Sequence, residues 1–152
     1  MRQSVRERIL QNIEAALRTI VEGDVYNFTV RQVERTRVTP LLENLEFPAL
    51  FIFEMPERLT QGPNPLMTKE LVIVIQAWIR SGDDDLSVQV NGLLADLEVA
   101  LLADKTRGGL AVDTLFSEHS IYLDTPIDVL AATHTIFTVH YRTVEGDPYT
   151  VS

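Results

Sequence analysis

Thr133-His-Thr-Ile-Phe-Thr-Val-His-Tyr-Arg-Thr143 is the stretch that decides the fold. Thr135, Phe137, Val139, Tyr141 and Thr143 alternate with His134, Ile136, Thr138, His140 and Arg142. A period of two in β-branched and aromatic residues predicts a half-buried strand. Gly146-Asp147-Pro148 predicts its stop. A core strand this late ties the end of the chain into a sheet. It also leaves residues 145–152 as a short polar tail projecting from the body.

Working outward, the chain reads α-β-β-β-α-β-β. Ser4 with Glu7 three residues on is a capping-box pattern. Val5, Ile9, Ile13, Ala16, Leu17 and Ile20 then form one apolar stripe of a helix ended by Gly23-Asp24. Tyr26 to Val38 reads as a strand, with Thr29, Arg31, Val33, Arg35 and Arg37 on one face. Phe47 to Glu54 reads as a second, with Pro48 at its start. Residues 56–68 contain Pro56, Gly62, Pro63 and Pro65, which predicts a long loop; long loops in compact domains are often functional. Lys69 to Arg80 is a third strand, apolar on both faces until Gln76. Such a strand sits centrally, with helices on one side and another layer, such as a second subunit, on the other. Ser81-Gly-Asp-Asp-Asp85 opens a second helix with the stripe Leu86, Val90, Leu93, Leu94, Leu97 and Leu101. Gly108-Gly109 closes it. Val112 to Leu123 is a fourth strand, broken at Ser117-Glu118, and Thr125-Pro126 turns into the last. The expected fold is one α+β domain over residues 1–152. Helices 4–22 and 84–104 pack on one face of a mixed, largely antiparallel sheet.

Composition narrows the function classes. The chain has 152 residues, a net charge of −9 and a pI near 4.7, which argues against a duplex-DNA clamp or an anionic membrane surface. The basic residues are Arg apart from Lys69 and Lys105, and Arg suits structured bidentate contacts. There is no cysteine, so disulfides and thiol chemistry are excluded. The start, Met1 to Arg8, lacks the apolar core of a signal peptide. Leu71–Ile75 is far too short to span a bilayer. The expected setting is therefore cytosolic, with no membrane partner.

No motif carries catalysis. Asp83, Asp84 and Asp85 could be a metal cluster, but at a helix start carboxylates cap free N–H groups. His134 and His140 lie roughly 20 Å apart along a strand, too far to share an ion. No G-x-S-x-G or phosphate loop appears. No catalytic residue, cofactor or metal ligand is expected. Arg31, Arg35 and Arg37 project from one strand face about 7 Å apart per step. They form either a solvated face or a basic strip for an acidic neighbour, including a second copy paired head to tail.

The order and endings resemble a known family. Val5-Arg-Glu-Arg-Ile-Leu10 precedes Phe47-Pro-Ala-Leu-Phe-Ile-Phe-Glu54. A Pro-rich loop and Met67-Thr-Lys-Glu-Leu-Val-Ile-Val-Ile-Gln-Ala-Trp78 follow, then a helix beginning Asp83-Asp-Asp-Leu-Ser-Val-Gln-Val-Asn-Gly92. The close is Tyr141-Arg-Thr143 and Gly146-Asp-Pro-Tyr149. This is similar to the tail terminator (minor tail, tail-completion) proteins of long-tailed bacteriophages. The resemblance implies an α/β sheet with helices on one face and assembly as a six-copy ring on the finished tail tube. Such a ring ends tube growth and gives the head its docking surface. It implies as partners further copies of this chain, the tail tube protein and a head-tail connector or neck protein. It implies a place in the virion, at the neck-proximal end of the tail, after assembly in host cytoplasm. Genomic DNA would pass through the bore without specific binding, which an acidic ring favours by repulsion. Candidate interface residues are Arg31, Arg35 and Arg37, then Gly62, Pro63 and Pro65 of the loop, then Asp147, Pro148 and Tyr149 of the tail. Loop and tail are expected to meet different neighbouring rings. Two other classes remain open: another neck, tube-capping or adaptor protein, and a small-molecule-binding α/β domain.

Overall fold

The structure is a computed structural model and describes residues 1–35, 45–63, 65–80, 85–122 and 130–152. Helix α1 spans Val5–Arg18. Ser4 caps it as the sequence predicts, its hydroxyl accepting the Glu7 backbone N–H at 3.1 Å. The helix ends at Thr19, short of Gly23, because the Thr19 N–H turns back to the Ala16 and Leu17 carbonyls. Helix α2 spans Leu86–Leu102, and the Asp85 carboxylate accepts the Ser87 N–H. Asp83 and Asp84 lie outside the described residues.

The strands are β1 (Gln32–Arg35), β2 (Ala49–Gln61), β3 (Leu66–Arg80), β4 (Asp113–Tyr122), β5 (Leu130–Val144) and β6 (Asp147–Val151). They form one sheet in the order β1-β2-β3-β5-β4, with β6 also paired to β5. Only β1–β2 is parallel. The fold is thus α+β with a largely antiparallel sheet, as the alternating pattern predicts. The predicted stripes are the core: Val5, Ile9, Ile13 and Leu17 of α1 and Val90, Leu93, Leu97 and Leu101 of α2 are fully buried. They pack on Leu71, Ile73 and Ile75 of β3 and on Phe137 and Val139 of β5. Each such side chain contributes about 1.5–3 kcal/mol by leaving water. The opposite sheet face carries Val72, Val74, Trp78, Ile136 and Thr138, half-buried, and neither helix covers it.

Three expectations are corrected. The strand read over Tyr26–Val38 is only Gln32–Arg35 among the described residues; residues 36–38 lie outside them. Ahead of it, the Asp96 carboxylate on α2 accepts the N–H groups of Asn27 and Phe28 and the Asn27 side chain. Those donors are then unavailable to a ladder. The loop read over residues 56–68 is mostly strand. Pro56 falls inside the bulge between Glu54 and Glu57, where no ladder donor is needed. Among the described residues only Gly62, Pro63 and Pro65 stand between the two strands. Lastly, the projecting tail is β6. Gly146, at φ +77°, turns the chain back, and Val151 pairs with Thr143. The break read at Ser117-Glu118 is a bulge between Phe116 and Glu118.

Asp96 is 1% exposed on the otherwise apolar buried face of α2. Gly92 one turn earlier leaves room for Phe28, whose ring would lie 3.2 Å from an added Cβ. Asp96→Ala orphans two backbone donors and should cost about 3 kcal/mol. Urea unfolding checks this: a loss under about 0.5 kcal/mol would show that the clamp holds nothing.

Candidate assembly interface

Val33 decides the fate of the arginine strip. It is buried beneath the helices, so its face of β1 points at α1, not at solvent. Arg35, two residues on, shares that face. Its guanidinium meets Glu7 as a fork, Nη1 to Oε1 and Nη2 to Oε2 both at 2.9 Å, with Glu14 at 3.6 Å and Glu54 at 3.8 Å. Arg31 precedes the strand and is exposed, while its backbone N–H donates to the Pro48 carbonyl. Arg37 lies outside the described residues. The structure therefore does not bring Arg31 and Arg35 into one exposed strip. Arg35 is an internal clamp between helix and sheet.

Arg6 extends this network to Glu54 at 3.0 Å and Glu57 at 3.7 Å. Glu57 also accepts the Tyr141 hydroxyl at 2.7 Å. Arg35's hydrogen bonds hold the Glu7 carboxyl below the ordinary glutamate range, and Glu7 in turn raises Arg35. Burial, then the bond to Glu57, pushes the Tyr141 phenol up. Paired in this way, these charges fix α1 to β1, β2 and β5 and give the network a structural purpose.

The other two candidate segments meet. Gly62 donates to the Leu66 carbonyl at 2.9 Å and Leu66 to that of Pro63 at 3.0 Å, closing the β2–β3 turn. The Glu145 N–H then binds the Pro65 carbonyl at 2.7 Å. The Gln61 amide reaches the Glu145 carboxylate at 2.5 Å. The β2–β3 and β5–β6 turns thus form one pole of the molecule. Loop and tail, expected to meet different rings, thus start side by side in one copy, because Leu66 pairs with Val144. β6 leads from that pole back onto α1. Its Asp147 accepts the Tyr149 N–H and the Thr150 hydroxyl, which lower its carboxyl, the Thr150 bond most. Arg8 donates to the Tyr149 carbonyl at 2.8 Å, and Arg2 lies 4.2 Å from the Tyr149 ring centre. Pro148 is exposed.

Two buried groups escape the sequence reading. Asp96 was legible as a carboxylate on an apolar stripe, which demands partners. Arg107 was not. It sits at φ +51° before Gly108 and Gly109, both also at positive φ. Its guanidinium folds back to the Leu101 and Asp104 carbonyls, capping the end of α2. Among the described residues no three His, Asp or Glu side chains gather as a metal site requires. A surface hollow of about 460 Å³ is lined by Ala95, Glu98, Val99, Leu102 and Ala103, with one charged side chain among apolar ones. No described helix is long and apolar enough to cross a membrane.

No family model and no curated protein matches the chain. Among solved structures, a chain of the virion of a native gene transfer agent (GTA) particle is similar over 94% of this chain and 92% of that one. The identity is 13% and the TM-score 0.38.

Arg35→Ala strips the partner from Glu7 and should cost roughly 1–2 kcal/mol at neutral pH. A carboxyl lowered on folding adds stability above its unfolded pKa, lost as pH falls through the folded value. Thermal melts from pH 7 down to pH 2 should therefore fall less in Arg35→Ala than in the parent. Parallel curves would show that Arg35 does not set the Glu7 titration.

Proposed function

We propose that this chain is a structural virion protein that forms a six-copy ring on a phage tail tube, ends tube growth and presents the surface on which the head docks. The observation that carries the reading is the shared pole. Two turns, the β2–β3 turn with Gly62, Pro63 and Pro65 and the β5–β6 turn at Glu145 and Gly146, are bolted together by backbone and side-chain bonds at the end of a rigid sheet. A rigid exposed pole is what a docking layer needs, because little ordering entropy is lost on contact. The sequence features shared with tail terminators support the same reading. So does an acidic chain, whose ring would let DNA slide through its bore without sticking.

In this reading the neighbours are the tail tube protein and a head-tail connector, and the pole meets one of them. The protein's place is the neck-proximal end of the tail. Arg35 and Tyr149 act within the protomer, holding β1 and β6 against α1. Gly62, Pro63 and Pro65 are the residues placed to touch another protein.

Tube protein polymerised in the presence of this chain should give tubes that stop growing, seen by electron microscopy as a capped, bounded length distribution. Tubes that elongate as freely as without it would sink the proposal. Replacing residues 62–65 by a Ser-Gly turn should leave the ring intact by native mass spectrometry yet abolish capping or head attachment.

A further inference from the structure

Among the described residues the sheet has two open edges. β4 ends the strand path, and nothing among the described residues pairs with its outer side. On the opposite border β1 covers only Ala49–Ile52 of β2, so among the described residues Phe53–Gln61 has no strand on its outer side. Exposed edges template further strands unless they are guarded by Pro, Lys or bulges. β2 is guarded by Pro56 and its bulge only as far as Glu57. β4 is guarded by the bulge at Phe116/Glu118. Beyond these devices each edge keeps one regular run, Glu57–Gln61 and Glu118–Tyr122, and neither run contains Pro or Lys.

The occupant of an open edge must itself be an extended strand with free backbone groups. This chain carries one at the other border of its own sheet. The strands β2, β3, β5 and β4 alternate in direction, so β4 of one copy meets β2 of the next antiparallel. In a cyclic ring all helix faces point the same way, so directly opposed residues must come from the same sheet face. Arg58 and Tyr122 belong to the bare face, through Glu70 and Ala132; Leu59 and Ile121 belong to the helix face, through Lys69 and Thr133. One register satisfies this parity and also joins the exposed apolar residues. It opposes Leu59, 56% exposed, to Ile121, 42% exposed, and Arg58 to Tyr122, 50% exposed.

We propose that the ring closes by sheet-edge pairing, Arg58–Gln61 of one copy adding antiparallel to His119–Tyr122 of the next, with Leu59 beside Ile121 and Arg58 over Tyr122. Apolar cross-strand pairs stabilise a ladder, and a guanidinium over a tyrosine ring adds cation–π attraction. Tyr122 is already held in place by contact with His134, ring centres 4.9 Å apart. Within one copy Tyr122 lies level with Trp78 and Arg58 with Glu70. Each join therefore steps by eight residues, about 26 Å. The strands then run oblique to the ring axis, as closure of a sheet demands. The pairing also stops where Pro56 begins, leaving β1 clear.

This inference rests on the ring reading, and the test separates the two. Native mass spectrometry of the wild-type chain should give a closed ring; a protein that stays monomeric overturns the ring reading and this pairing with it. The chain lacks cysteine, so Leu59→Cys with Ile121→Cys in one chain introduces the only thiols. They lie on opposite sheet edges and cannot join within a copy. Oxidation should give a ladder of covalent oligomers on a denaturing gel, whereas either single variant should stop at dimer. An intact ring with no ladder overturns the edge pairing alone. Arg58→Glu, at an exposed site, should keep the circular dichroism spectrum and raise the concentration for half-assembly at least about tenfold. An unchanged concentration dependence would count against the register.

Discussion

Everything in this molecule hangs on the pairing of β3 with β5. The two strands run antiparallel in unbroken register from Leu66–Val144 to Arg80–Leu130, fifteen residues each. Because side chains alternate sides, a slip of one position would turn every core residue out to solvent. Leu71, Ile73, Ile75, Phe137 and Val139 are fixed toward the helices by that register, and Val72, Val74 and Ile136 away from them. The same ladder places the β2–β3 turn against the β5–β6 turn at one end. It also leaves β4 and the outer half of β2 as the borders.

Around this ladder the arginines act as ties. Arg6 of α1 reaches Glu54 of β2, and Arg35 of β1 reaches Glu7 of α1. Arg8 and Arg18 reach the backbone carbonyls of Tyr149 and Val33, and Arg107 closes the end of α2. A planar guanidinium can bind a carboxylate as a fork or span two carbonyls, which an ammonium cannot. The preference for Arg over Lys in this acidic chain follows from those internal duties rather than from a basic outer strip. Arg58, exposed on the open part of β2, stands apart from them.

The features left over after folding all concern neighbours. One sheet face carries Val72, Val74, Trp78 and Ile136 with neither α1 nor α2 above it. Two turns are bolted together at one pole, and the borders keep short runs of unpaired backbone flanked by Leu59, Ile121 and Tyr122. A sheet completed by further copies uses the borders, and a docked layer uses the pole, so the proposed ring gives these two features their occupants.

The sequence by itself determined the local and periodic features. Ser4 with Glu7 set the start of α1, the heptad-like stripes set both buried helix faces, and the alternation from Thr133 set β5 and its inner side. These signals lie within a few residues of one another, so spacing alone carries them. Only the tertiary structure decided the rest, because each remaining choice depended on a partner far along the chain. Pro56 permits a strand only because a bulge lies opposite β3. Asp147–Val151 becomes a strand only because β4 stops in time to leave the β5 edge free. Asn27 and Phe28 avoid the sheet because Asp96 takes their donors, and Arg35 turns inward because Val33 beside it is needed in the core.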